Sequence, residues 1–370
     1  MLDPNQTPDA NDSWNSPTEW LRGEGEANDV VLSSRARLAR NIAGCPFVPR
    51  ASRVDRVRSL DAARAAIMAG PLAPQMLWLN LHEAKILDRQ ILVERHLISK
   101  QLSKGRAGQG TGAIEDPRGV AVSADERLSI MVNEEDHLRI QSIRSGLALA
   151  AAYREVDEAD DAMERSLRLA FSPRFGYLTA CPTNVGTGLR MSVMLHLPGL
   201  RLTGDIERVK RAAADMNLAV RGFYGEGSEA VGDLYQISNQ TTLGRTEAAI
   251  IASLETEILP RVIEYERLSR RELTSRRRLG LEDQVWRAFG VLSSARLLTT
   301  EEAMQCLSLL RLGVLTGVIG PELCDVSRVH QMMLLVHPAH LQRALGVSLD
   351  QEQRRAARAG LVRGRLASRT

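Results

Sequence analysis

The chain has 370 residues, enough for one large domain or two moderate ones with a real core. Its hydrophobic content is 44%, no apolar run approaches a membrane span of about 20 residues, and the N-terminus is polar and acidic, so a soluble cytoplasmic protein without a secretion signal is expected. The net charge is +3, but Lys85, Lys100, Lys104 and Lys210 are the only lysines among 48 basic residues, leaving 44 arginines; any polyphosphate site must therefore rest on guanidinium forks. Cys45, Cys181, Cys306 and Cys324 are scattered without a Cys-x-x-Cys pair, which argues against a zinc or disulfide framework. The C-terminus is basic, yet no aromatic residue interleaves with Arg354 to Arg369, so nucleic-acid binding is not expected.

Residues 1–29 carry seven acids and one arginine and have little to bury, so they are expected to form a disordered acidic tail in which Trp14, Trp20 and Leu21 anchor weakly. Val30 to Leu32 reads as a strand running into Ser33-Ser34-Arg35-Ala36-Arg37. If it continues, alternation aims Arg35 and Arg37 to one side; the competing reading is a helix capped by Ser33 or Ser34. A helix over 54–68, a break at Gly70-Pro71, a strand over 76–80 and a helical turn over 82–87 follow. His96 lies in an apolar stretch, where a core histidine and a ligand are both open readings. The run from Lys104 to Gly112 holds four glycines and is either a linker or a lid.

Ile130-Met131-Val132 reads as a buried strand that delivers into Asn133-Glu134-Glu135-Asp136-His137, with Arg139 just beyond. Crowded carboxylates repel one another and resist burial, so this is a solvated turn or a site for a cation, a metal or a proton. The pattern then predicts a helix over 143–170 and a strand over 176–180. That strand enters Cys181-Pro182-Thr183-Asn184-Val185-Gly186-Thr187-Gly188-Leu189-Arg190, whose small residues let a backbone pass close to a ligand. An apolar run over 191–197, a helix over 201–217 and a strand over 218–222 lead to a loop, Arg221-Gly222-Phe223-Tyr224-Gly225-Glu226, and a strand over 233–238. Beyond residue 245 the spacing is helical: 254–265 with a kink at Pro260, then 282–289, 301–310, 327–336 and 351–365.

Arg35, Arg37, Arg139, Arg190 and Arg221 all sit at strand ends or loops. Gathered into one cleft they would neutralise the triphosphate of a nucleotide with its Mg²⁺, and phosphoryl transfer asks chiefly for positioning and charge neutralisation. No Gly-x-x-x-x-Gly-Lys-Ser/Thr, Gly-x-Gly-x-x-Gly or His-Arg-Asp motif is present, and the chain offers no metal site of its own. An acceptor held by Glu135 and Glu226 should be cationic, planar and rich in donors, which describes a guanidinium.

The segments Ser33 to Arg37, Asn133 to Arg139, Cys181 to Arg190 and Arg221 to Glu226, with Tyr235 to Asn239, resemble the phosphagen kinase superfamily in the right order over about 210 residues. Within it the chain is most similar to the bacterial protein-arginine kinases (McsB type). About thirty polar residues precede Ser33, where small-substrate members carry a helical domain, and here the helical part comes last. The resemblance implies an α+β fold with a mainly antiparallel sheet flanked by helices, a catalytic domain over 30–250 and a C-terminal helical domain over 251–370. It implies that Ser33, Ser34, Arg35, Ala36, Arg37, His96, Arg139, Arg190, Met191, Ser192, Val193, Met194, Arg221, Gly222, Phe223, Tyr224, Gly225 and Glu226 contact ATP. Glu135 and Glu226 would hold the arginine substrate, with Cys181 close to its guanidinium.

The resemblance also implies exposed arginines of proteins as substrates, the Clp ATPase/protease as reader of the mark, an activating zinc-containing partner, a homodimer and a role in stress response. One departure stands out. Family members carry Arg-Asp-x-x-Arg-Ala near the C-terminus as a phosphoarginine-binding motif; here Arg354, Arg355, Arg358 and Ala359 occupy it, so an arginine replaces the acceptor acid and activation by phosphoarginine is expected to be weakened or rewired. The rival readings are a kinase for free arginine or another small guanidine, and a nucleotide-sensing adaptor without catalysis.

Overall fold

The computed structural model describes residues 18–105, 116–216, 218–222 and 231–367. Trp14, most of the glycine-rich run, and Phe223, Tyr224, Gly225 and Glu226 lie outside the described residues.

The centre is β1 (Val31–Arg40), a ten-residue strand. The others in chain order are β2 (Met76–Asn80), β3 (Gly119–Ser123), β4 (Leu128–Val132), β5 (Leu138–Ser145), a two-strand ribbon of β6 (Phe171–Ser172) and β7 (Gly176–Tyr177), then β8 (Leu189–His196), β9 (Leu218–Arg221) and β10 (Leu234–Asn239). Eight of them form one sheet in the order β2-β3-β4-β5-β1-β8-β10-β9, with every neighbour antiparallel. The expected α+β architecture is therefore present. The helical alternative for Ser33-Ser34 falls, because the Ser34 hydroxyl caps nothing in its own strand: it donates to Gly146 O (2.9 Å) and accepts from Ala148 N (2.9 Å).

Strand alternation gives the sheet two chemically opposite faces. One carries Ala36, Leu38, Leu138, Ile140, Met191, Val193, Leu195 and Ile237, all buried. Helices Arg53–Ala69 and Leu149–Glu164 cover much of it, the second presenting Leu149, Ala152, Val156, Ala159 and Met163 at helical spacing. The first helix starts at a capping box, Ser52 with Asp55. Each fully buried Leu, Ile or Val of this layer contributes about 1.5–3 kcal/mol. The other face is polar along β5, β1 and β8. Apolar clusters close it at both ends: Leu81, Leu92, Leu97, Val120 and Met131 on one side, and Leu32, Ile143 and Met194 packed with Trp20 and the C-terminal helices on the other.

The fold corrects several expectations. Residues 18–29 are packed and not a disordered tail: Trp20 is 1% exposed, and Glu19 Oε1 accepts from Ser145 N at 3.1 Å. The helix expected from residue 143 begins at Leu149, because Ile143 and Ser145 pair with Arg35 and Ser33 of β1 and Gly146 turns the chain with φ 69°. The 201–217 helix splits at Gly204, which is left-handed. Pro260 occupies the first turn of Leu259–Arg276, where a missing N–H costs nothing, and follows a π-helical segment. That helix packs on the catalytic part: Glu266 accepts from Gly199 N and Leu200 N, both at 2.9 Å. The C-terminal helices are Arg278–Ser294, Thr300–Leu315, Val326–Leu335, Pro338–Leu345, which the sequence pattern did not disclose, and Gln351–Ala367.

Candidate active site

Register assembles the arginines. Across β1 and β8, Arg37 stands opposite Arg190 and Arg35 opposite Ser192; across β1 and β5, Arg139 stands opposite Ala39, one diagonal step from Arg37. At the far edge Arg221 faces Gln236, whose Oε1 accepts from Arg35 Nη2 at 2.6 Å. Arg35 Nε donates to Ser192 Oγ at 3.3 Å. All five arginines thus share the polar face.

Like charges brought this close and buried should resist ionisation, and Arg35 and Arg37 are shifted in that direction. Burial, then Arg139 and Arg190, push the Arg35 guanidinium down to about 9. Burial, then Arg35, Arg139 and Arg190, push Arg37 well below the ordinary value, with Glu134 opposing. Arg37 Nε has no hydrogen-bond partner among the described residues. Arg139 differs: burial penalises its charge, but an ion pair with Glu134, reinforced by Glu135 and Asp136, holds its pKa above the ordinary value. The face is short of negative charge, and an anion with several oxygens would relieve it.

The acidic turn between β4 and β5 divides its labour. Asn133, left-handed at φ 62°, donates from Nδ2 to Arg56 O (2.8 Å) and Pro117 O (3.0 Å) and accepts from Ser59 Oγ (2.8 Å). His137 Nδ1 accepts from Ile42 N (3.1 Å), so its Nε2–H donates to Pro46 O (3.1 Å), and burial keeps the ring neutral by lowering its pKa. Asp136 accepts from Asn41 Nδ2 and from Ala180 N, both at 2.6 Å. These three pin the turn, and Glu134 is committed to Arg139. Glu135 remains half-buried at the edge of the arginine face, near enough to Arg139 to raise its pKa.

Asp136 also ties this turn to the loop that carries Cys181. Cys181 is half-buried, its Sγ 3.0 Å from Thr183 Oγ1. The loop is fixed further on: Asn239 accepts from Met191 N (2.8 Å) and donates to Leu189 O (3.0 Å), while Thr242 Oγ1 donates to Val185 O (2.6 Å). Gly188 is obligatory here, since at φ 67° a Cβ would meet Arg40 Nη1 at 2.6 Å and Ala39 O at 2.8 Å. The Ala180–Asp136 hydrogen bond sets the segments that carry Cys181 and Glu135 side by side; Glu226 lies outside the described residues.

Beside Arg35 the face dips into a shallow recess lined by Trp20, Ser33, Arg35, His96, Ser192 and Met194 among others. His96 is left-handed (φ 61°), and burial, then Arg35, hold its pKa well below 6.5. Ala36, Met191 and Val193, expected at the nucleotide, turn their side chains into the core, and the Ser34 hydroxyl is committed to the Gly146 turn. Gln236 and Trp20 were not anticipated as lining residues; Trp20 was marked only by being apolar in an acidic stretch. Arg354, Arg355, Arg358 and Ala359 lie on helix Gln351–Ala367, away from the sheet. Arg358 is 3% exposed and donates to Val336 O (2.6 Å) and Leu298 O (2.8 Å).

An antiparallel sheet whose polar face is an arginine cradle places the protein among the guanidino phosphotransferases. The model of the ATP:guanido phosphotransferase C-terminal catalytic domain matches residues 68–269, and that of the protein-arginine kinase McsB C-terminal domain matches residues 278–370. Among solved structures, lombricine kinase is 25% identical with a TM-score of 0.56, covering 72% of this chain and 73% of its own. The duplicated taurocyamine kinase from Schistosoma mansoni with bound transition state analog components is 28% identical with a TM-score of 0.56, covering 72% of this chain and 37% of its own.

Full-length similarity narrows the class. The protein-arginine kinase of Symbiobacterium thermophilum is 48% identical over 95% of this chain and 97% of its own, and that of Halothermothrix orenii 43% identical over 94% and 96%. The chain belongs to the protein-arginine kinase family.

Proposed function

We propose that this protein transfers the γ-phosphoryl group of ATP to the guanidinium of arginine side chains in proteins. The observation that carries the reading is the register of β1, β5 and β8, which gathers Arg35, Arg37, Arg139 and Arg190 on one face with Glu134 as their buried counter-charge. That deficit of anion suits a triphosphate: among the described residues Arg37 Nε has a donor to spend, and Arg35 is held only by neutral acceptors. Mg²⁺, carried in on the nucleotide, would supply further neutralisation of the phosphate oxygens. Arg221 and Ser192 extend the phosphate contacts, and His96 borders the recess that takes the base.

Glu135, at the edge of the face, aligns the incoming guanidinium and draws off its proton as the phosphorus–nitrogen bond forms; a free guanidinium, with a pKa above about 12, is otherwise a poor nucleophile. Glu226 is its partner by motif match. Arginine on a protein, rather than free, is supported by the names and near-full-length similarity of the relatives. The resemblance further supports a cytoplasmic role in protein quality control, with the Clp machinery reading the mark, a zinc-containing activator and a homodimer. No helix among the described residues is long and apolar enough to cross a membrane.

The test is mass spectrometry under non-acidic conditions after incubation with ATP and, separately, an arginine-rich protein or free arginine. Phosphoarginine in the protein is expected. Phosphorylation of free arginine alone would move the assignment to a small-guanidine kinase, and none of either would leave a nucleotide sensor.

A further inference from the structure

The base recess is not built by the sheet alone. Two of its walls, Trp20 and His96, come from short segments outside the sheet, and their rings meet edge to face with centroids 4.8 Å apart. Each segment hangs from the C-terminal helices. Around His96, Glu94 is 7% exposed and its carboxylate accepts from Ala339 N (2.8 Å), His340 N (2.9 Å) and His340 Nδ1 (2.6 Å), capping helix Pro338–Leu345 from a distance. Arg95 is held by Glu126 (2.7 and 2.9 Å), and His96 O accepts from Gln141 Nε2 (2.8 Å) on the arginine face. A left-handed non-glycine residue such as His96 persists only where its surroundings over-determine it. Glu94 supplies one of those restraints.

Around Trp20 the arrangement repeats. His330, on helix Val326–Leu335, accepts from Arg311 Nε at 2.9 Å, so its Nδ1 carries the proton and donates to Leu21 O at 2.9 Å. The imidazole also fills the space beside Gly23, where a Cβ would lie 3.2 Å from it. Arg311 itself donates to Asn28 O (2.7 Å) and Asp29 O (2.9 Å), tying down the far end of the same segment.

We propose that the C-terminal helices are part of the nucleotide-base site: through Glu94 and His330 they hold His96 and Trp20 as its two outer walls, with the buried Trp20 ring backing His96 and both Trp20 and Glu94 acting as positioning residues. The claim rests on the nucleotide reading above and deepens it. The sheet arginines grip the phosphates, while the C-terminal helices set how well, and how selectively, the base is bound. Any change in the packing of those helices therefore reaches ATP affinity before it reaches the transfer step.

The test compares wild type with Glu94→Gln and Trp20→Phe, reading KM and kcat for ATP and GTP, KM for the protein substrate, and inhibition by inorganic tripolyphosphate, which has phosphates but no base. Both variants should raise KM for ATP about five- to tenfold and shrink the ATP-over-GTP preference, with kcat within about twofold. KM for the protein substrate and inhibition by tripolyphosphate should not move. A merely structural role would shift tripolyphosphate inhibition in step with ATP, and that result overturns the proposal, as does unchanged ATP affinity and base preference in the folded variants. Trp20→Phe keeps a buried ring and carries the test if Glu94→Gln does not fold. Wild-type protein that binds ATP and tripolyphosphate without transferring phosphate would defeat the kinase reading instead; the base-site claim would then be judged on the same variants by calorimetric binding.

Discussion

Two sets of arginines divide this molecule. Arg40, Arg311 and Arg358 are spent on the fold: Arg40 is chelated by Asp160 (2.5–3.1 Å) and donates to Ala39 O and Thr187 O, Arg311 reaches two imidazoles and two carbonyls, and Arg358 holds the carbonyls of Val336 and Leu298. Arg35 and Arg37 are half-buried, and among the described residues Arg35 meets only Ser192 and Gln236, while Arg37 Nε meets nothing. The second set is the less buried of the two, but burial is not the main difference. What separates them is where the donors go: in the first the protein supplies acceptors for its own guanidinium donors, and in the second it leaves donors for a ligand to meet.

That contrast breaks most clearly at a pair of substitutions on one strand. Arg40→Met strands the Asp160 carboxylate, whose pKa burial already raises, and should cost about 3–5 kcal/mol of stability, read as a fall in Tm. Arg37→Met removes a cation that its neighbours repel, so Tm should hold or rise while kcat/KM for ATP-dependent phosphorylation falls about 10²–10³-fold. Equal losses of stability in the two variants would erase the distinction.

The sequence made part of this legible. Alternation along β1 aimed Arg35 and Arg37 to one side, and the strand end at Val132 placed the acids beside Arg139. Pairing across strands was not legible, because Arg37 meets Arg190 only through a register between residues 153 positions apart. The alanine-rich run after Gly146 extended a helical pattern backwards over Ile143 to Ser145, where pairing to β1 overrides it. Trp20 sat in a segment whose acidity signalled disorder; one of those acids, Glu19, turns out to satisfy Ser145 N and lets the segment pack.

The fold-committed set also includes histidines, and here the contrast sharpens with pH. Burial pushes His330 down to about 3, with Arg311 adding to it, and His337 down to about 4. Below the ordinary value of 6.5 the unfolded chain takes up protons that the folded chain refuses. Stability is therefore complete above that pH and is lost as pH falls towards the folded values. Each group contributes up to about 1.4 kcal/mol per pH unit within the window. Urea midpoints at pH 7 and pH 5 should show the fall, and His330→Gln should flatten it by roughly one proton's worth; an unchanged slope would mean His330 is not neutral in the fold.

The smallest effect is expected where the two sets would have to exchange roles. A phosphoarginine bound at Arg354 and Arg358 would need donors that Arg358 has already given to Val336 O and Leu298 O, and Arg354 has one nitrogen on Leu349 O at 2.8 Å. It would also want an acceptor for its own N–H groups, and the exposed Arg355 can only donate. Added phosphoarginine should therefore change activity by less than about twofold, below the coupling typical of an effector site. Strong stimulation, lost on changing Arg354 or Arg358, would show that the C-terminal helix can release its carbonyls, and Arg358 would then belong with Arg37 rather than with Arg311.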